Sequence, residues 1–134
     1  MLRDVFTVRK PQLAVLSDAA RAAFIDDRVV ALREQFPDRV AALTDPELRG
    51  HVEACIARAQ GYGLESRLDI TRFLNVAATH GWEFDEMPQH AWMKRYLGDP
   101  AVASASQRID RLVVEILSRG EADDRARALR REFA

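Results

Sequence analysis

Apolar residues recur along this chain at spacings of three and four positions, and prolines and glycines interrupt the pattern at short intervals. This spacing places the apolar side chains on one face of a helix, so it predicts a series of short amphipathic helices. Val5–Val8 is the best candidate for a strand, but no second candidate is available to pair with it. The sequence therefore predicts an all-α fold, a compact bundle of about five helices with a short extended N-terminal arm and a charged C-terminal helix.

Helix boundaries are marked by residues that satisfy or replace the unpaired backbone groups at helix ends. Thr44 can cap a helix while Glu47 completes a capping box, and Pro46 fits the first helical turn. Gly61 and Gly63 are predicted to end that helix, because glycine readily adopts the left-handed conformation of a C-cap. The other predicted starts are Ser17-Asp18, Ser66, Pro88 and Asp99-Pro100, and the other predicted ends are Pro37, Gly81, Gly98 and Gly120.

Composition limits the class of protein. A length of 134 residues and a hydrophobic share of 48% suffice for one domain with a buried core, and they exclude an intrinsically disordered chain. We expect a single helical domain over residues 1–120 and a charged tail over residues 121–134 that can form a weakly amphipathic helix. The balance of 20 basic against 21 acidic residues argues against a protein whose main task is to coat nucleic acid.

The sequence also bears on localisation. No apolar run approaches the roughly 20 residues of a membrane span. The first residues, Met1–Phe6, lack the apolar core of a signal peptide. We therefore expect a cytoplasmic protein that binds neither nucleic acid nor a membrane, while export without a cleavable signal stays open.

The sequence offers few candidates for a catalytic or metal-binding site. The segment from His80 to His90 contains two imidazoles and three carboxylates, which is a candidate for a divalent metal site. Its spacing matches no helical ligand pair, so a solvated acidic loop with two surface histidines is the preferred interpretation. Cys55, the one cysteine, lies on the apolar face of its predicted helix and is expected to be a buried structural residue. We expect no cofactor, no metal and no enzymatic activity.

Aromatic residues are concentrated in the middle of the chain, where they favour either a core or an interface. A shared core at the centre of the bundle is the simpler interpretation. In the alternative, Phe73, Phe84 and Trp92 are buried, while Trp82 or Tyr96 is exposed at a groove. The cluster consists of Tyr62, Phe73, Trp82, Phe84, Trp92 and Tyr96.

Several of these residues, in this order and spacing, resemble those of a family of small all-helical bacterial proteins associated with gene clusters of the type VI secretion system and its toxin effectors. The resemblance spans roughly residues 5–117. The loop departs from the usual pattern, because Met87 precedes Pro88 where the family often has an acid. The matching residues are Phe6–Lys10, Gln12, Leu13, Phe24, Leu32, Phe36-Pro37, Arg58-Ala59, Tyr62-Gly63, Asp69, Phe73, Gly81, Phe84-Asp85, Pro88, Trp92, Leu97 and Asp99.

The resemblance implies a non-enzymatic accessory or adaptor protein, chaperone-like, that binds a secreted toxin or a delivery component of a bacterial secretion system. The alternative is an immunity protein that neutralises a cognate toxin. No catalytic residue carries over from the family, and the oligomeric state stays open. We expect the partner to contact the aromatic and acidic segment, with Trp82, Phe84, Asp85, Glu86, Trp92 and Tyr96 as its binding residues.

Overall fold

The computed structural model describes Leu13 and residues 16–133, and within these residues it contains helices and no strand. The predicted all-α class is therefore confirmed, whereas the predicted arm at Val5–Val8 lies outside the described residues. Two 3-10 turns, Phe84–Glu86 and Pro88–His90, precede the fifth α-helix. The described α-helices are α1 (Asp18–Gln35), α2 (Pro37–Val40), α3 (Asp45–Gly61), α4 (Arg67–His80), α5 (Ala91–Leu97) and α6 (Ala105–Phe133).

Backbone contacts divide the chain into two compact units, Met1–Trp82 and Glu83–Ala134. In the first unit, α1 and α4 both pack against α3, and α2 packs against α1 and α4. In the second unit, α5 packs against α6, and both 3-10 turns contact α5. The prediction of one domain over residues 1–120 stays a prediction. Fully buried apolar side chains include Leu48, Val52, Ile56, Ile70, Phe73 and Leu74 in the first unit and Phe84, Met93, Leu97, Ile109 and Leu112 in the second.

The predicted helix starts at Ser17, Thr44 and Ser66 are confirmed. The Ser17 hydroxyl accepts the backbone N–H of Ala20 at 3.1 Å, and the Ser66 hydroxyl accepts that of Asp69 at 3.1 Å. At α3 the capping box is complete, because Thr44 and Glu47 each accept the backbone N–H of the other. Each cap satisfies a donor that the first turn of a helix leaves without a backbone partner.

Glycines end α3 and α4 as predicted. Helix α3 runs to Gly61, and the chain then turns through Gly63, whose φ is 90°. Helix α4 ends at His80 and is followed by Gly81 with a φ of 125°. Residues that carry a Cβ rarely adopt these backbone angles, so glycine at both positions lets the chain leave the helix without strain.

Two predicted boundaries of the last helix are wrong. Helix α6 begins at Ala105 and not at Asp99-Pro100, because the Asp99 carboxylate accepts the N–H of Ala101 at 2.9 Å and forms a separate turn. The hydroxyl of Ser104 then accepts the N–H of Gln107 at 3.3 Å, which is the contact of an N-cap. Gly120 does not end the helix, which continues to Phe133, since glycine inside a helix costs only about 1 kcal/mol relative to alanine.

Candidate functional site

Residues between Asp85 and Pro100 line a concave surface in the second unit. It is anchored by apolar side chains, because Phe84 in the first 3-10 turn is fully buried and α5 buries Met93 and Leu97. Met87 has the extended backbone that the residue before a proline prefers. The 3-10 turns and α5 are therefore held in a defined arrangement by their buried faces, and their other faces line a groove.

The groove has a volume of about 810 Å³, and its accessible lining is mostly apolar. Helix α5 contributes Ala91, Lys94 and Arg95, and Gly98 follows at its end; the spacings of three and four place these positions on one helix face. This face lies opposite the buried Met93 and Leu97. The lining residues are Asp85, Glu86, Met87 and Pro88 from the loop, Ala91, Lys94, Arg95 and Gly98 from α5 and its end, and Asp99 and Pro100.

Most of the charged groups at the groove already have partners within the protein. The Lys94 ammonium lies 3.4 Å from both carboxylate oxygens of Glu86. Asp99 accepts a backbone N–H, and Asp85 is buried and makes an interaction of its own within the protein. Arg95 is exposed, and no ion pair or side-chain hydrogen bond is found for it among the described residues. Within the described residues, Arg95 is therefore the exposed charged side chain of the lining that has neither an ion pair nor a side-chain hydrogen bond.

Two aromatic residues of α5, Trp92 and Tyr96, lie outside the groove lining. Their rings meet edge to face with centroids 6.1 Å apart and planes at 85°. The guanidinium carbon of Arg119 on α6 lies 3.5 Å from the centroid of the Trp92 ring, and Arg119 also donates to Glu115 at 3.0 Å. The cation–π contact stabilises the packing of α5 on α6, whereas the aromatic pair links successive turns of α5 itself.

Trp82 belongs to the first unit, where it is bound to α3. Its indole stacks on the imidazole of His51 with ring centroids 4.9 Å apart and planes within 7°. Its carbonyl oxygen accepts hydrogen bonds from the guanidinium of Arg58 and, at 3.5 Å, from the thiol of Cys55. Cys55 is fully buried, as expected from the sequence. These contacts hold the chain in place just after α4 ends.

The six residues predicted to bind a partner are thus placed in different environments. Trp82 lies in the first unit and the other five lie in the second. Phe84 and Asp85 are buried, so their side chains contribute to packing, and Glu86 alone combines exposure with a position in the groove. Sequence reasoning missed Lys94 and Arg95. The signal that indicates them is the spacing of Ala91, Lys94, Arg95 and Gly98 on the face opposite the buried residues of α5.

A second, smaller groove of about 400 Å³ lies in the first unit between α1 and the start of α3. Its two carboxylates are both paired, since Asp26 binds Arg49 and Asp45 lies 2.6 Å from Arg33. Asp26 is therefore one half of an exposed ion pair. Val30 is 56% exposed beside this groove. The charges here compensate each other, unlike those around Arg95.

The segment from His80 to His90 is the candidate metal site that the sequence offers. The Nδ1 atom of His80 lies 2.8 Å from the hydroxyl of Thr79 and 3.3 Å from the carbonyl oxygen of Val76, both within its own helix. Across the described part of the chain, no three His, Cys, Asp or Glu residues lie close enough together to hold a metal ion. The metal hypothesis gains no support from this geometry.

Comparison with protein families, with curated proteins and with solved structures found no match for this chain. None of the helices in the described residues is long and apolar enough to cross a membrane. The resemblance to secretion-associated bacterial proteins stays a prediction.

Proposed function

We propose that this protein is a non-enzymatic accessory or adaptor protein, and that the groove of the second unit binds a segment of another protein. The supporting observation is the groove itself, because its volume of about 810 Å³ falls within the range of ligand sites, roughly 300–1,000 Å³. It is formed by residues 85–100, which include much of the segment that the sequence indicated. Its accessible surface is mostly apolar, with charged side chains among the lining residues, and this combination is typical of a binding surface.

The size of the groove favours a short extended segment as its occupant. The seven residues of α5 rise about 10 Å, at about 1.5 Å per residue. An extended chain covers that distance in about three residues, at about 3.3 Å each.

The resemblance described above supports a more specific proposal for the partner. We propose a cytoplasmic protein that binds a secreted toxin or a delivery component of a bacterial secretion system before export. An immunity protein would share the same gene neighbourhood. The two are separated by a rescue experiment, since an immunity protein protects a cell that expresses the toxin alone, whereas an adaptor supports export without such protection.

A groove-obstructing substitution tests the proposed function. Ala91 is exposed and lines the groove, so Ala91→Trp is expected to obstruct it while leaving the buried face of α5 unchanged. The protein is expressed with an affinity tag in its native host, and the proteins that co-purify in stoichiometric amounts are identified by mass spectrometry. We expect a partner to co-purify with the wild-type protein and to be lost from Ala91→Trp.

The matched control is Ala57→Trp, which places the same side chain on the exposed face of α3 in the first unit. Circular dichroism checks that both variants keep the helical fold. Retention of the partner by Ala91→Trp at the level of Ala57→Trp would show that the groove is not the binding site. A chain that co-purifies with no protein would count against the proposed function as a whole.

A further inference from the structure

We propose that the groove of the second unit selects segments in which an acidic side chain lies beside an apolar one, and that Arg95 binds the carboxylate. This inference rests on the proposed function, because it names the chemistry of the segment that the groove receives. It goes further by assigning a specificity-determining residue.

Arg95 is the exposed cation of the lining for which the described residues supply no partner. Lys94 lies 3.4 Å from Glu86, and both side chains are more than half exposed, at 52% and 59%. Asp99 accepts the N–H of Ala101 at 2.9 Å, and Asp85 is buried and engaged within the protein. An anionic group that enters the groove therefore finds an available partner at Arg95, whereas a cationic group finds no free carboxylate of similar exposure.

The position of Arg95 places its charge next to apolar surface. On the same face of α5, Ala91 lies four residues before Arg95 and Gly98 lies three residues after it. These small side chains leave room beside the long arginine, and Met87 and Pro88 from the loop supply apolar surface in the same groove. A segment with one apolar and one acidic side chain can therefore satisfy both features within the roughly three residues that α5 spans.

Arginine suits this role for a chemical reason. Its planar guanidinium presents N–H donors in a fork that matches both oxygens of a carboxylate. The lysine beside it is a point charge and is already held by Glu86. A carboxylate on the occupant is therefore expected to bind Arg95 in preference to Lys94. Because the site is open to solvent, the contact is expected to weaken as salt concentration rises.

The experiment uses blocked synthetic peptides and the full-length chain. The first probe is acetyl-Ala-Leu-Glu-Leu-Ala-amide, whose only charge is the glutamate side chain. The second replaces glutamate by glutamine, and the third is acetyl-Ala-Leu-Gln-Leu-Ala with a free C-terminal carboxylate. Each is titrated into ¹⁵N-labelled protein, and the affinity is obtained from the backbone amide shifts of residues 85–100.

We expect the glutamate peptide to bind about tenfold more tightly than the glutamine peptide, which corresponds to about 1.4 kcal/mol at 25 °C. Arg95→Glu is expected to abolish this preference, and Arg95→Lys to keep part of it because the charge remains. The matched control is Arg111→Glu, which makes the same charge change at an exposed position of α6 outside the groove lining. It is expected to bind the glutamate peptide as the wild type does.

Three binding results would overturn the inference, and so would a complete absence of binding. They are equal binding of the glutamate and glutamine peptides, a preference that survives Arg95→Glu, and tighter binding of the peptide with the free C-terminus than of the glutamate peptide. Failure of all three peptides to shift the groove amides also contradicts it. None of these results removes the proposed function, because loss of the native partner from Ala91→Trp is measured separately.

Discussion

At the scale of single residues, Glu47 shows how one contact pair defines the start of a helix. Its carboxylate accepts the backbone N–H of Thr44 at 2.9 Å, and the Thr44 hydroxyl accepts the N–H of Glu47 at 3.2 Å. The hydrogen bond with the Thr44 backbone lowers the pKa of Glu47 most, and the one with the Thr44 side chain lowers it further. Nearby His51 on the same helix adds a smaller lowering. The charged form of Glu47 therefore stabilises the start of α3.

A pH-dependent contribution to stability follows from that lowered pKa. Because the folded pKa lies below the unfolded one, the contribution is complete above the ordinary glutamate pKa of about 4.3 and is lost as pH falls through the folded value. Urea denaturation of the wild type and of Glu47→Gln is expected to show a stability difference at pH 7 that vanishes at low pH. Glu34→Gln, at an exposed position of α1, is the control. A difference that stays constant with pH would contradict this assignment.

Phe84 is predicted from the sequence to bind a partner, but its burial indicates a role in the core of the second unit. It is fully buried in the second unit, so Phe84→Ala is expected to lower the free energy of unfolding by about 3–5 kcal/mol. Leu117→Ala is the control, since Leu117 is 63% exposed and is expected to change stability by less than about 0.5 kcal/mol. Urea denaturation followed by circular dichroism measures both changes. Equal small effects would show that Phe84 is not a core residue of the second unit.

At the scale of helices, glycine has opposite consequences at different positions. A Cβ added at Gly50 or Gly120 would meet no atom within 4 Å, and both positions lie inside helices. Alanine there is expected to stabilise the helix by about 0.5–1 kcal/mol. At Gly81 the φ of 125° is unfavourable for a Cβ, so Gly81→Ala is expected to destabilise the protein. The opposite effects of alanine at these positions arise because Gly50 and Gly120 have helical backbone angles, whereas Gly81 has a positive φ.

Urea denaturation measures the Gly50 and Gly81 variants, and amide hydrogen exchange of the α6 backbone measures the Gly120 variant. We expect slower exchange around position 120 in Gly120→Ala. Unchanged or faster exchange there would contradict a continuous α6. A Gly81→Ala variant as stable as the wild type would contradict the left-handed end of α4.

The accuracy of the boundary predictions depended on how local each signal was. The capping box at Thr44 and the glycine ends at Gly63 and Gly81 depend on a few neighbouring residues, so the sequence was sufficient to predict them. The start of α6 was misplaced because Asp99-Pro100 has the composition of a helix start, while the Asp99 carboxylate instead closes a turn. Gly120 was misread because a single glycine is compatible with both a helix end and a helix interior.

The site was only partly predictable, for a related reason. The sequence indicated the segment from Phe84 onwards through its aromatic and acidic residues, but it could not assign their exposure. Phe84 and Asp85 are buried, whereas Arg95, which composition alone does not distinguish from other arginines, lines the groove. The exposure of each side chain on α5 depends on which face of the helix is packed. Met93 and Leu97 are buried and define that packed face.

At the scale of the whole molecule, contacts are concentrated in two units that meet in the sequence at Trp82 and Glu83. The sequence predicts a helix end at Gly81 but does not indicate a boundary between two units. A glycine can end a helix inside a domain as well as at its border. The functional proposal uses the second unit alone, since the groove lies there. The first unit contains the stacked Trp82 and His51 pair and a groove with compensated charges.

The most direct test of the account is hydrogen–deuterium exchange of the purified protein with and without the partner captured from the native host. The account predicts slower exchange on binding for amides of residues 85–100, with the Ala91→Trp variant showing no such protection. It also predicts little change in α1 and α2. Protection confined to the first unit, with the exchange of residues 85–100 unchanged, would contradict the central claim that the groove of the second unit binds the partner.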